Sequence, residues 1–198
     1  GSNEISVFQC DVTNEDEVHK IISNINSTFG EIDVVVFAIT SALKNTRILK
    51  LDWGEYNSHF DIQIKPMFFV MKALSDQINA KYKTKFIVLL TEYCIGSPPK
   101  GLSNYVTSKY AAMGMAKTMA IELSQYNSTV NMISPGMVET PLLDDLPAKL
   151  IELTAYQNPL SRNAQPDDVS SVISFLASDQ SNYLNGANIV INGGGIMQ

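Results

Sequence analysis

An α/β fold built on a parallel sheet is what this sequence predicts, and two patterns point to it. Apolar, β-branched runs alternate along the chain with stretches of helical periodicity. Several of those runs are continuously apolar rather than alternating, as parallel strands covered on both faces require. The 198 residues suit one domain, and a 45% hydrophobic fraction is enough for a substantial core.

The elements follow in order. Residues 5–10 read as a strand and 14–29 as an amphipathic helix, with Val18, Ile21, Ile22 and Ile25 at helical spacing and Thr13 as its N-cap. Residues 32–39 form a continuous apolar run, a central strand. Residues 53–79 carry helical periodicity interrupted by Pro66. A second buried strand spans 86–90, and a long helix spans 104–126, with Val106, Tyr110, Met113, Ala120 and Leu123 on one face. Strands at 129–133 and 188–192 enclose a helix at 167–178 that Pro166 starts. Residues 140–163 are polar and proline-punctuated, a flexible cover with one helix.

Charge and composition exclude several classes. A net charge of −6 argues against nucleic-acid binding and against anionic membranes. No apolar run reaches the roughly 18 residues of a membrane span, and no signal peptide opens the chain. Cys10 and Cys94 are far apart, which speaks against a disulfide framework or zinc site and for a reducing, cytoplasmic setting. Gly1-Ser2 reads as a tag remnant.

The chemistry concentrates at Tyr105-Val106-Thr107-Ser108-Lys109. Tyr and Lys four apart share a helical face, and an ammonium near a phenol lowers its pKa towards the range useful for acid–base work. Alone this pair is commonplace, but its surroundings are not. Downstream come Val130-Asn131, Pro135-Gly136-Met137-Val138-Glu139-Thr140, Pro159-Leu160-Ser161-Arg162 and Pro166-Asp167-Asp168-Val169. Then follow Phe175-Leu176-Ala177-Ser178-Asp179 and Asn192-Gly193-Gly194-Gly195, while Cys10-Asp11-Val12 stands upstream. In this order they resemble the short-chain dehydrogenases/reductases over essentially the whole chain, and among them the 3-oxoacyl-[acyl-carrier-protein] reductase type.

The resemblance implies a Rossmann-like, doubly wound parallel sheet with helices on both faces, forming one domain over residues 1–198. It implies an oxidoreductase moving hydride between NAD or NADP and a carbonyl or alcohol, acting on a small-molecule or acyl-thioester substrate. Tyr105 would then be the general acid, and Lys109 would bind the nicotinamide ribose. Pro135, Gly136, Met137 and Thr140 would hold the carboxamide, and Asp11 and Val12 the adenine edge. No metal is implied. Small residues on the long helix, Ala111, Ala112, Gly114 and Ala116, suit the close helix packing of a homo-oligomer.

Four departures qualify the resemblance. The glycine-rich TGxxxGxG turn that would cradle the pyrophosphate is not in the sequence, and the first two strands of the family fold are expected to be absent. The first strand read here would therefore lack its usual neighbour. Where the family places a catalytic serine, thirteen positions before the Tyr, stands Glu92. A carboxylate there would repel a developing alkoxide and raise the Tyr105 pKa, unless it is protonated or Thr91 supplies the hydroxyl. Phe37-Ala38-Ile39-Thr40 is bulkier than the family's NNAG turn. Gln63 takes the place of a relay asparagine, one methylene longer, with Pro66 expected to kink the helix beyond it.

The remaining candidates have plainer readings. His19 and His59 read as solvated or capping, Trp53 as a packing residue, and Asp144-Asp145 as a solvated rim. Met113, Met115 and Met119 read as packing residues, and Met137 as a substrate neighbour. Two functions follow: an NAD(P)-dependent reductase, or a non-catalytic module of the same fold serving assembly or partner binding.

Overall fold

The computed structural model describes residues 5–144 and 146–197. Gly1, Ser2 and Asp145, each assigned a role above, lie outside the described residues.

Four parallel strands make the sheet: β1 (Val34–Phe37), β2 (Lys85–Leu89), β3 (Thr129–Pro135) and β4 (Asn188–Ile191), in spatial order β1-β2-β3-β4. Register sets Val35 beside Phe86, Phe86 beside Val130, and Met132 beside Asn188. The expected strand at residues 5–10 is not one. The segment is extended in sequence pattern only, Ile5 and Val7 are about nine-tenths exposed, and β2 is the only strand paired with β1 among the described residues. A strand exists by virtue of its ladder, and this segment has none to join.

Alternation along β2 and β3 divides two cores. Phe86, Val88, Val130 and Met132 point into one layer, filled by α1 (Glu15–Phe29), α2 (Trp53–Ala73) and α4 (Ser103–Ser124). Ile87 and Ile133 point the other way, onto Val169 and Leu176 of α6 (Pro166–Ala177). Each such side chain contributes about 1.5–3 kcal/mol by leaving water.

Local chemistry sets the helix ends. Asn14, not Thr13, caps α1: its side chain accepts the Glu17 N–H at 3.2 Å, and three acids follow at the positive end of the helix. Thr13 is occupied by the Asp11 carboxylate. Gly30 ends the helix at φ 89°, a conformation that costs glycine least. The expected helix over 53–79 divides at Leu74 into α2 and the short α3 (Ser75–Asn79), while Pro66 lies buried inside an unbroken α2. The cover over 140–163 holds α5 (Ala148–Gln157) and a 3-10 turn at Pro141–Leu143.

On α4 the buried face differs from the expected one. Val106, Ala120 and Leu123 are buried together with Ala112, Ala116 and Met119, whereas Tyr110 is half exposed. Ala112 and Ala116 are therefore spent on the chain's own core. Polar side chains fasten the ends: Asn185 accepts the Val130 N–H and donates to the Ala120 carbonyl, tying β3 and α4 to the approach to β4.

Candidate active site

The carboxyl ends of parallel strands are where such folds leave a crevice. Here the loops after β1, β2 and β3, the head of α4 and the 140–150 segment enclose a cavity of about 510 Å³. Tyr105, Lys109, Glu92, Pro135, Gly136, Met137 and Thr140 all line it. Its remaining wall is largely aliphatic, and the only charged lining residues, among those described, are Glu92 and Lys109.

Tyr105 and Lys109 lie one turn apart on α4, both buried, with the ammonium 5.9 Å from the ring centre. Lys109 Nζ donates to the Leu89 carbonyl at 2.6 Å. Burial pushes the ammonium's pKa down to about 8. Burial also pushes the Tyr105 phenol up to about 12, opposed by a hydrogen bond shared with the Thr91 side chain. The phenol is thus raised rather than lowered as expected, because withdrawing a phenolate from water is costly. Cys94, buried beside them, is pushed up to about 11 by burial, with the Lys109 charge acting in the opposite sense. At neutral pH both Tyr105 and Cys94 keep their protons.

Glu92 does not face the phenol. Asn192 Nδ2 donates to Glu92 Oε2 at 3.1 Å, and Oε1 sits 3.3 Å from where a Gly136 Cβ would stand. The carboxylate is thus turned behind the Pro135–Met137 turn, towards a second cavity of about 240 Å³ that also touches Asn158, Asn163 and Asn192. Burial raises its pKa, with the Asn192 bond opposing. Burial is the main cause of the raised phenol, with Cys94 and Tyr93 adding to it, and Glu92 is not among its causes. Thr91, one residue earlier, lines the same cavity as Tyr105, and its hydroxyl opposes the rise of the phenol's pKa.

Gln63 is buried on α2 outside the cavity wall, and its Nε2 donates to the Ile39 carbonyl at 2.7 Å. It therefore holds the turn after β1, whose Ala38, Ile39 and Thr40 do line the cavity, while Phe37 is buried and stacks on Phe86. Space at Gly136 is tight: a Cβ would stand 3.1 Å from Asn192 Cβ, while the Gly136 N–H donates to the Ile191 carbonyl. The Thr140 hydroxyl faces the Val138 carbonyl at 3.5 Å. Asp11 and Val12 are not brought to the cavity; Asp11 accepts the N–H and hydroxyl of Thr13 instead.

Two aromatic placements differ from expectation. His59 is buried, edge-on to Tyr105 at 6.3 Å, and burial lowers its pKa. Its position four residues before Gln63 was the available signal, since the two share a helical face. Trp53 is three-quarters exposed and stacks only on Tyr56. His19 is exposed near Glu15, as expected. Among the described residues no three His, Cys, Asp or Glu side chains gather to hold a metal, both cysteines are free, and no helix is long and apolar enough to cross a membrane.

Residues 1–195 match a family profile described as enoyl-(acyl carrier protein) reductase. The 3-oxoacyl-[acyl-carrier-protein] reductase FabG of Thermotoga maritima is 32% identical over 193 residues, which span 96% of this chain and 77% of that protein. The crystal structure of a short-chain type dehydrogenase/reductase from Mycobacterium marinum superimposes with a TM-score of 0.88 at 28% identity, covering 96% of this chain and 75% of that one. ElxO with NADP bound, 24% identical, shares the fold at a TM-score of 0.87 over 98% of this chain and 79% of its own.

Proposed function

The chain belongs to the short-chain dehydrogenase/reductase family, and we propose that its larger cavity reduces a neutral, largely apolar carbonyl compound with NAD(P) as the hydride partner. One observation carries the reading: Tyr105, buried and one helical turn from Lys109, lines a largely aliphatic cavity together with the Thr91 hydroxyl. The name of the Thermotoga relative gives the substrate class we favour, a 3-oxoacyl thioester or a related ketone. Leu43, Leu102, Leu142, Leu146 and Leu150 suit its hydrocarbon portion, and Lys109, the one cation among the described lining residues, is taken up by the Leu89 carbonyl and the ribose rather than by a substrate carboxylate or phosphate.

Tyr105 is the proton donor. With its pKa near 12 the phenol stays protonated at neutral pH and can deliver that proton to an oxygen that becomes an alcohol. Thr91 orients the same oxygen. Lys109 uses one N–H on Leu89 and has two left for ribose hydroxyls, and Pro135, Gly136, Met137 and Thr140 offer backbone and side-chain partners to a carboxamide. The residues present thus fit the nicotinamide end of the cofactor, which when bound supplies the hydride. Glu92 and Gln63 act here through neighbours, on Asn192 and Ile39, rather than on the reacting atoms. We place the activity in the cytoplasm, in a homo-oligomer.

A second reading, a non-catalytic module for assembly or partner binding, draws on Glu92, bonded to Asn192 at the position where the family places a serine, and on the bulkier turn at residues 37–40. Titration with NADH and NADPH separates the two. Saturable binding, with Tyr105→Phe still binding but unable to turn over a 3-oxoacyl thioester, supports the reductase. No binding at millimolar cofactor by the chain favours the module.

A further inference from the structure

Thr91 and Glu92 are consecutive residues of the loop after β2, and their side chains have different partners. One reaches the Tyr105 phenol, and the other reaches Asn192, just past β4. Asn192 is itself held on every side. Its Nδ2 also donates to the Ile196 carbonyl at 3.0 Å, its Oδ1 accepts the Gly194 N–H at 3.1 Å, and its carbonyl accepts Asn158 Nδ2 at 2.8 Å. At the other end of the loop, Ile196 packs onto Gly96 so closely that a Cβ there would overlap it. The Gly96 N–H in turn donates to the Glu92 carbonyl at 3.1 Å. Residues 92–96 and 192–196 therefore close on each other like a clasp, with a charge-assisted hydrogen bond at one end and a glycine-to-isoleucine fit at the other.

We infer that Glu92 is a positioning residue: anchored on Asn192, it fixes the rotation of the loop after β2 and so aims the Thr91 hydroxyl at Tyr105. This assigns a purpose to a carboxylate that would be unfavourable if it faced the reacting oxygen, and it makes the segment after β4 part of the same working unit. The inference rests on the reading of Tyr105 and Thr91 as the reactive pair.

Its test uses Glu92→Gln, which keeps an acceptor for Asn192, and Glu92→Leu and Asn192→Leu, which abolish the bond. Amide hydrogen exchange of segments 89–96 and 192–197 is read for each variant and for the double Leu variant. Losing a charge-assisted bond predicts exchange about tenfold faster in both segments for either Leu variant, no further gain in the double, and near-native exchange for Glu92→Gln. Turnover should follow, with kcat about tenfold lower and KM nearly unchanged in Glu92→Leu, and recovery in Glu92→Gln. Loosening confined to the mutated segment, additive effects in the double variant, or an unchanged kcat in Glu92→Leu would overturn the inference. An unmodified chain without turnover would sink the reductase reading alone, because the exchange arms still decide whether the clasp exists.

Discussion

The Lys109 ammonium donates to the Leu89 carbonyl at 2.6 Å and lies under the Tyr105 ring, with no carboxylate among the described residues bonded to it. Burial holds its pKa near 8, whereas in the unfolded chain it returns to about 10.5. Between those values the unfolded state carries more protons, so this residue makes stability rise with pH. Tyr105 acts in the opposite sense from pH 10 to 12, because the folded phenol keeps a proton that the unfolded one releases. In a Tyr105→Phe background, denaturant unfolding should show Lys109 gaining stability relative to Lys109→Met as pH rises from 8 to 10.5. A pH-independent difference between the two would contradict the burial of the charge.

Removing the Thr91 hydroxyl should damage chemistry more than binding. Thr91→Val is isosteric and deletes the hydrogen bond to Tyr105. Loss of one preorganised donor costs about a hundredfold in kcat. Thr91→Ser should retain most activity. Equal kcat for Val and native at saturating substrate would take Thr91 out of the reaction.

Asn131 links β3 to the segment entering β4. Its Nδ2 donates to the Leu184 carbonyl at 2.9 Å and its Oδ1 accepts the Ala187 N–H at 3.1 Å, both away from water. Asn131→Leu leaves both backbone groups unpaired and should cost about 3 kcal/mol in urea unfolding. A loss below 1 kcal/mol would mean that the two groups find other partners.

Phe86 is wholly buried in β2 and stacks on Phe37 at 6.4 Å between ring centres. Phe86→Ala removes the largest side chain from the middle of the α1–α2–α4 core and should cost about 4 kcal/mol in the same measurement. Phe86→Leu, which refills most of the volume, should cost markedly less.

Much of the architecture was legible because its determinants are local. The central strands are continuous apolar runs, and Tyr105 and Lys109 need only helical spacing to meet. Residues 5–10 show where that reasoning ends: a side-chain pattern says that a segment could be a strand, but not whether a neighbouring ladder is there to receive it. The open points at the site have the same origin. Counting thirteen positions back from Tyr105 finds Glu92, yet which of two adjacent side chains faces the phenol depends on how the loop is held from β4, a hundred residues away. His59 was read from its own helix, whereas its burial comes from packing beside Tyr105 of α4. The direction of the phenol's pKa depends on burial, which spacing does not report.

The strand order β1-β2-β3-β4 means that each strand pairs with the one that precedes it in the chain. Assembly of the described strands can therefore keep pace with synthesis, since each of β2, β3 and β4 leaves the ribosome with its partner already made. The Glu92–Asn192 bond is the exception. It joins the loop after β2 to the segment after β4, so this link can close only once Asn192 has been made, a hundred residues after its partner.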